Sequence, residues 1–169
     1  MRSNAKAVNF GIIYGMSEYG LAKNLKISNA EARDYIASYF KEFPEVKSYM
    51  EENVAFAKTG GFAKTILGRK RYIRELNSAN YNLRQFGERV AMNMPLQGSS
   101  ADIIKLAMLG VSKRLKKENL KSELILQVHD ELIVDAFKDE KETVEKILVE
   151  EMEGAVKLKV NLTVELGSG

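Results

Sequence analysis

Four residues near the amino end recur at every fourth position: Arg2, Lys6, Phe10 and Tyr14. On an α-helix each step of four turns the side chain by only about 40° around the axis, so they form one slowly winding stripe. Two cations followed by two aromatics suit a nucleotide, because the cations neutralise phosphates while a ring stacks on a base. Gly11 and Gly15 each cost such a helix about 1 kcal/mol relative to alanine, which makes sense where something must approach the backbone closely. The same spacing also fits an amphipathic helix with its aromatics in a core. Arg89, Asn93 and Gln97 repeat the four-residue step and would equally fit the exposed side of a helix. His129-Asp130-Glu131 lies between two apolar runs, and standing alone it reads as a polar turn.

Charge adds a regional signal. The net charge is +3, but Lys58 to Arg89 carries eight bases against two acids, and Glu123 to Glu165 twelve acids against five lysines. A basic middle suits a polyanion and an acidic end suits solvent or a metal, although ordinary solvated surface has the same composition. The absence of cysteine excludes disulfides and thiolate metal sites, and suits a reducing cytoplasm. A single histidine, His129, excludes a multi-histidine zinc site. No apolar run approaches the roughly 18 residues of a membrane span, so no membrane partner is expected.

The elements that must position these residues are helical first and sheet-bearing last. Ser28-Asn-Ala-Glu31 is a capping box, followed at helical spacing by Ala32, Tyr35, Ile36, Tyr39, Phe40 and Phe43. Pro44 should end or bend that helix, and a second should run to Gly60-Gly61. Between Phe62 and Ile73 two short runs flank Gly68-Arg69-Lys70, the pattern of a basic hairpin. A helix is expected from about Ala79 to Met94, halted near Pro95. Gln97-Gly98 is then a joint, and Ser99 to Asp102 opens another helix lasting to about Asn119. Glu123 to Ala136 reads as a strand pair, Val144 to Met152 as an amphipathic helix capped by Gly154, and Val160 to Leu166 as a last strand. The lysines within 113–117 read as a solvated face. The class is α+β.

The segment Arg2-Ser-Asn-Ala-Lys6-Ala-Val-Asn-Phe10-Gly-Ile-Ile-Tyr14-Gly resembles the mobile fingers helix of bacterial family-A DNA polymerases, RxxxKxxxFxxxYG. Phe43-Pro44, Gly68-Arg69, Asn93-Met-Pro-Leu-Gln97-Gly98 and Gln127-Val-His129-Asp130-Glu131 match further family elements in the same order. A motif match gains weight when several stand in register, as five do here. The resemblance implies a helical fingers subdomain with its basic hairpin over residues 1–78. Residues 79–169 would then be a portion of the palm, with part of an antiparallel sheet and flanking helices.

It also implies roles. Asp130 is one of two aspartates holding two Mg²⁺ ions, Glu131 supports the site and His129 contacts the primer end. Arg2 and Lys6 hold the incoming triphosphate, Phe10 lies against base or sugar, and Tyr14 sits near the templating position. A phenylalanine at position 10 implies discrimination against 2′,3′-dideoxynucleotides. Arg89, Asn93 and Gln97 read the minor groove, while Arg69 and Arg71 meet template phosphates. The implied partners are primer–template DNA, dNTPs and an upstream polymerase segment containing palm strands and thumb.

Two departures accompany the match. Ser3 stands where the family has a second arginine, and nothing in the chain resembles the aspartate motif DYSQIELR. The chain is therefore expected to be inactive without the upstream segment. The alternatives are a nucleotide- or DNA-binding module without catalysis, and a helical structural protein with no nucleic-acid role.

Overall fold

In a computed structural model, the backbone is described for residues 2–169 and the side chains from Val8 onward. The helices are α1 (Arg2–Ile13), α2 (Glu18–Leu25), α3 (Asn29–Glu42), α4 (Pro44–Gly60), α5 (Tyr81–Lys117) and α6 (Lys141–Glu153). Two antiparallel pairs interrupt them: β1 (Phe62–Lys64) with β2 (Lys70–Tyr72), and β3 (Glu123–Val128) with β4 (Glu131–Asp135). The fold is mostly helical with two small sheets. The chain divides into two compact units, Met1–Gly98 and Ser99–Gly169.

Local chemistry sets most boundaries in the first unit. At the start of α3 the Ser28 hydroxyl accepts the Glu31 N–H at 3.2 Å, and the Glu31 carboxylate accepts the Ser28 N–H at 2.9 Å. This reciprocal bond closes the expected capping box. Pro44 occupies the first turn of α4, where its missing N–H costs nothing, and Gly61 ends the helix with its N–H on the Ala57 carbonyl. Two apolar clusters sit behind these elements. Leu21, Ala22 and Ala32 pack with Val8, Met16 and Ile36, while Ala57, Ala63, Ile73, Leu76 and Ala91 pack with Val54 and Met94.

Three expectations change. α1 ends at Ile13, so Tyr14 lies just past the helix and Gly15 stands in a turn with φ +72°. A separate helix, α2, then starts behind the Ser17 cap, whose hydroxyl accepts the Gly20 N–H at 3.2 Å. Further on, Pro95 does not stop the chain: α5 is one 37-residue helix with Pro95 inside it. An interior proline removes the bond to the carbonyl four residues back and costs about 3 kcal/mol. Burial on both sides outweighs that cost, through Ala91 before the proline and Ala107, Val111 and Leu115 after it. Lastly, Val160 to Leu166 forms no strand. Its alternation supplies one half-buried face, but strand geometry also needs a ladder partner. Instead the Val164 N–H bonds to the Glu153 carboxylate at 3.0 Å.

The second unit packs β3–β4 and α6 onto the later turns of α5. Val111, Leu115, Val144 and Ile147 are its buried centre, with Leu124, Leu132, Val134 and Leu148 against them. Arg114 ties the helices together at the rim, bonding to Glu118 at 2.9 Å just past the end of its own helix and to Glu150 at 3.1 Å and Glu151 at 3.0 Å on α6. Gly110 permits this approach, since a Cβ there would collide with the Glu151 carboxylate. Lys113, Lys116 and Lys117 are exposed, as a solvated face should be.

Candidate functional site

The His129-Asp130 pair forms the tip of the β3–β4 hairpin. Register runs from Val128 opposite Glu131 to Glu123 opposite Asp135, with a bulge between Leu124 and Leu126. A two-residue hairpin loop needs left-handed backbone, and His129 provides it at φ +54°. The Gln127 side-chain amide donates to the His129 carbonyl and braces that conformation. His129, Asp130 and Glu131 are all exposed, so the turn presents its polar groups outward on a stiff pair of strands. Leu124, Leu132 and Val134 face the core, whereas Ile125, Leu126 and Ile133 are exposed.

The base of this hairpin is clasped. The Glu140 carboxylate accepts the backbone N–H of Lys121 at 3.0 Å and that of Ser122 at 2.9 Å, and the Ser122 hydroxyl at 2.6 Å. Ser122, itself buried, also accepts the Phe137 N–H at 3.1 Å. Residues just before β3 and just after β4 are thereby tied to one carboxylate. The Lys121 N–H, then the Ser122 hydroxyl, hold the Glu140 carboxyl below its ordinary pKa. Bonds to the ionised form have that effect.

Asp130 and Glu131 offer the hard oxygen donors that a magnesium-like cation takes. Among the described residues no three histidine, acid or cysteine side chains cluster to hold a metal. The donor set fits one part of a magnesium shell and needs further ligands to complete it.

In the first unit the structure joins two series that the sequence keeps far apart. Phe10 and Tyr14 are exposed, and the corner after them rests on α5. A Cβ at Gly15 would stand 3.1 Å from Arg89 Cγ and 3.1 Å from Met92 Cε. The Asn93 amide donates to the Tyr14 carbonyl at 3.4 Å. Asn93 is half-buried, whereas Arg89 and Gln97 are exposed. The side chains of Arg2 and Lys6 lie outside the described residues.

The basic hairpin forms as expected, with Phe62 opposite Tyr72, Ala63 opposite Arg71 and Lys64 opposite Lys70. Arg69 donates to the Gly98 carbonyl at 3.3 Å, and Arg71 is exposed. Phe62 packs edge-on against both Phe56 at 5.4 Å and Tyr72 at 5.9 Å. Lys64 lies over Phe56 at 5.0 Å and Lys70 over Phe62 at 4.5 Å. Charge alone does not mark Lys64 and Lys70 as members of a cation–aromatic surface; the interleaving of Phe62, Lys64, Lys70 and Tyr72 is its signal in the sequence. Not every base in this stretch faces outward for a ligand. Lys58 pairs with Glu88 at 2.6 Å, and Arg84 donates to the carbonyls of Ser78 and Ala79.

The sequence pattern described as DNA polymerase family A matches residues 1–169. The chain is 56% identical over 169 residues to DNA polymerase I of Caldicellulosiruptor bescii, covering 100% of this chain and 20% of that protein. It is 54% identical to DNA polymerase I of Bacillus caldotenax, covering 100% of this chain and 19% of the relative. Among solved structures, the POL domain of Pol1 from M. smegmatis in complex with DNA primer-template and dNTP aligns with a TM-score of 0.92 at 43% identity. That alignment covers 95% of this chain and 28% of the other. The chain thus spans about a fifth of the length of the curated relatives it matches. With the family pattern matched from end to end and the fold shared with a polymerase domain, the chain belongs to DNA polymerase family A and corresponds to part of the polymerase domain of DNA polymerase I.

Proposed function

We propose that this chain supplies one metal-binding carboxylate, nucleotide-binding residues and part of the DNA surface of a DNA-directed DNA polymerase. The observation that carries this reading is the exposed Asp130 at the tip of a clasped hairpin, in a chain matched throughout by family A. The primer-template and dNTP in the M. smegmatis complex support the same ligands here. On this reading residues 1–78 are the fingers and residues 79–169 a portion of the palm.

The reaction is in-line attack by a primer 3′-hydroxyl on the α-phosphate of a dNTP, and catalysis is chiefly positioning and charge neutralisation. Arg2 and Lys6 neutralise the triphosphate. Phe10 bears on the base or sugar, and Tyr14 borders the templating position. Both rings are exposed. His129 contacts the primer end. Arg69 and Arg71 hold template phosphates, which fix register without reading sequence. Arg89, Asn93 and Gln97 serve the minor groove, where acceptors of A·T and G·C pairs occupy similar places. Family-A polymerases use Mg²⁺; Asp130 would hold an ion, with Glu131 beside it, and bound Mg²⁺ would neutralise charge on the phosphate oxygens. The upstream segment, with its palm strands and thumb, contributes the other aspartate. The cation–aromatic hairpin also favours a second reading, DNA binding without catalysis.

Primer extension on a labelled primer–template separates the two. With Mg²⁺ and four dNTPs, the chain joined by the upstream polymerase segment should extend the primer, and the chain alone should not. Salt-sensitive DNA binding without extension in the joined form would leave only the binding module.

A further inference from the structure

We infer that Tyr39 is a positioning residue for nucleotide binding, because its hydroxyl, bonded to Asn9, sets the rotation of α1 about its own axis. This rests on the polymerase reading, in which α1 turns Arg2, Lys6 and Phe10 toward the incoming dNTP. The Tyr39 hydroxyl donates to Asn9 Oδ1 at 2.9 Å, from α3 to α1 across 30 positions. At about 100° per residue, Val8 and Ile12 share the inner side of α1, Phe10 points the opposite way, and Asn9 and Gly11 stand on the two flanks. The packing agrees. Val8 lies against Leu21, Ala22 and Ala32, Ile12 is buried, and Phe10 is exposed. On the Gly11 flank lies Met16, whose Sδ would stand 3.2 Å from a Cβ there. On the other flank Tyr39 holds Asn9.

The two flanks restrain the helix differently. Apolar packing is non-directional and a methionine adapts its shape, so Val8, Ile12 and Met16 hold α1 down without fixing its angle closely. A hydrogen bond weakens steeply with distance and angle, so the Tyr39–Asn9 bond does fix it. A turn of about 20° moves a side-chain tip, about 5–6 Å from the axis, by about 2 Å. That breaks the bond and carries Phe10 well beyond the roughly 0.5 Å tolerance of a working site. Arg2 and Lys6 stand on the same stripe and turn with it. Tyr39 is itself held firmly: its ring meets Phe40 edge-on at 5.7 Å and Phe43 at 5.1 Å, and its carbonyl accepts the Phe43 N–H at 2.9 Å. The Phe43-Pro44 pair, at the start of α4, thus backs the tyrosine that steadies α1. Without the bond α1 holds its productive rotation for a smaller fraction of the time, and apparent nucleotide affinity falls by that fraction. Saturating nucleotide restores the rotation, so the maximal rate is spared.

Single-turnover incorporation of one dNTP over a range of concentrations, by the chain joined to its upstream segment, tests this. Tyr39→Phe keeps the ring and deletes only the hydroxyl. It should raise the half-saturating dNTP concentration by on the order of threefold to tenfold and leave the maximal rate within about twofold, the size and split of one lost positioning bond. Primer–template affinity, read by fluorescence anisotropy, should not change. Asn9→Leu should have an equal effect, and the double variant should be no worse than either single, because both remove the same bond. An unchanged or lowered half-saturating concentration overturns the proposal even if the urea midpoint falls, since the bond would then only stabilise the fold. A loss confined to the maximal rate overturns it too. Additive effects of the two substitutions overturn the pairing of Tyr39 with Asn9. Absence of extension by the unaltered joined enzyme removes the polymerase reading itself, and the positioning role with it.

Discussion

Replacing Ser122 by alanine should loosen the base of the hairpin that carries Asp130. Ser122 is 3% exposed, donates to Glu140 at 2.6 Å and accepts the Phe137 N–H at 3.1 Å. Alanine removes both bonds, one of them to a carboxylate, for a loss of about 1–3 kcal/mol. With a urea m-value of about 2 kcal/mol/M, a loss of about 2 kcal/mol lowers the midpoint by about 1 M. The slope m should not change, because the same surface is exposed on unfolding. Urea titration followed by circular dichroism at neutral pH measures this, with Ser168→Ala as an exposed control. The clasp also has a pH signature. The folded-state pKa of Glu140 is depressed, chiefly by the Lys121 N–H and then by the Ser122 hydroxyl. Its contribution is therefore present above the ordinary carboxylate pKa and is lost as pH falls through the folded value. Ser122→Ala should shrink that acid-sensitive part. An unchanged midpoint, or an equal loss at neutral and acid pH, refutes the clasp.

Removing the cap of α3 with Ser28→Ala should cost about 0.5–2 kcal/mol in urea titration. Because Ser28 backbone and side-chain bonds depress the Glu31 pKa, that difference should narrow as pH falls below the carboxylate range. Arg71→Ala should weaken primer–template binding across sequences and make the slope of log K against log salt shallower by about 0.9, read by fluorescence anisotropy. Phe10→Tyr in the chain joined to its upstream segment should relax discrimination against dideoxynucleotides, measured by chain-termination ratios; equal ratios for the two forms refute the assignment of Phe10.

What the sequence disclosed follows the range of each interaction. The Ser28–Glu31 box, the Gly61 cap, the hairpin around Gly68 and the polar tip at His129-Asp130 depend on residues a few positions apart, so their chemistry was visible in the chain. Pro95 misled because its local cost is explicit, whereas the burial of Ala91, Ala107 and Val111 that outweighs it comes from the folded chain. Alternation from Val160 to Leu166 indicated a face and could not indicate a strand partner. The clasp joins Ser122 to Glu140, and Arg114 reaches Glu150 and Glu151 across two helices. Asn93 meets Tyr14 across 79 positions. No spacing rule reaches contacts of that length. The family resemblance added roles for Asp130 and Arg89 that local chemistry alone leaves open between a site and a solvated surface.

The most direct test of the central claim is primer extension by the joined polymerase with Asp130 intact and with Asp130→Asn, which keeps the size of the side chain and removes its charge. A metal-binding role predicts robust extension by the first form. The second should retain salt-sensitive DNA binding and an unchanged urea midpoint but lose extension by orders of magnitude, as removal of a metal-holding carboxylate entails. Extension by Asp130→Asn at a rate close to that of the unaltered form would contradict the account, for the hairpin tip would then be a polar turn and nothing more.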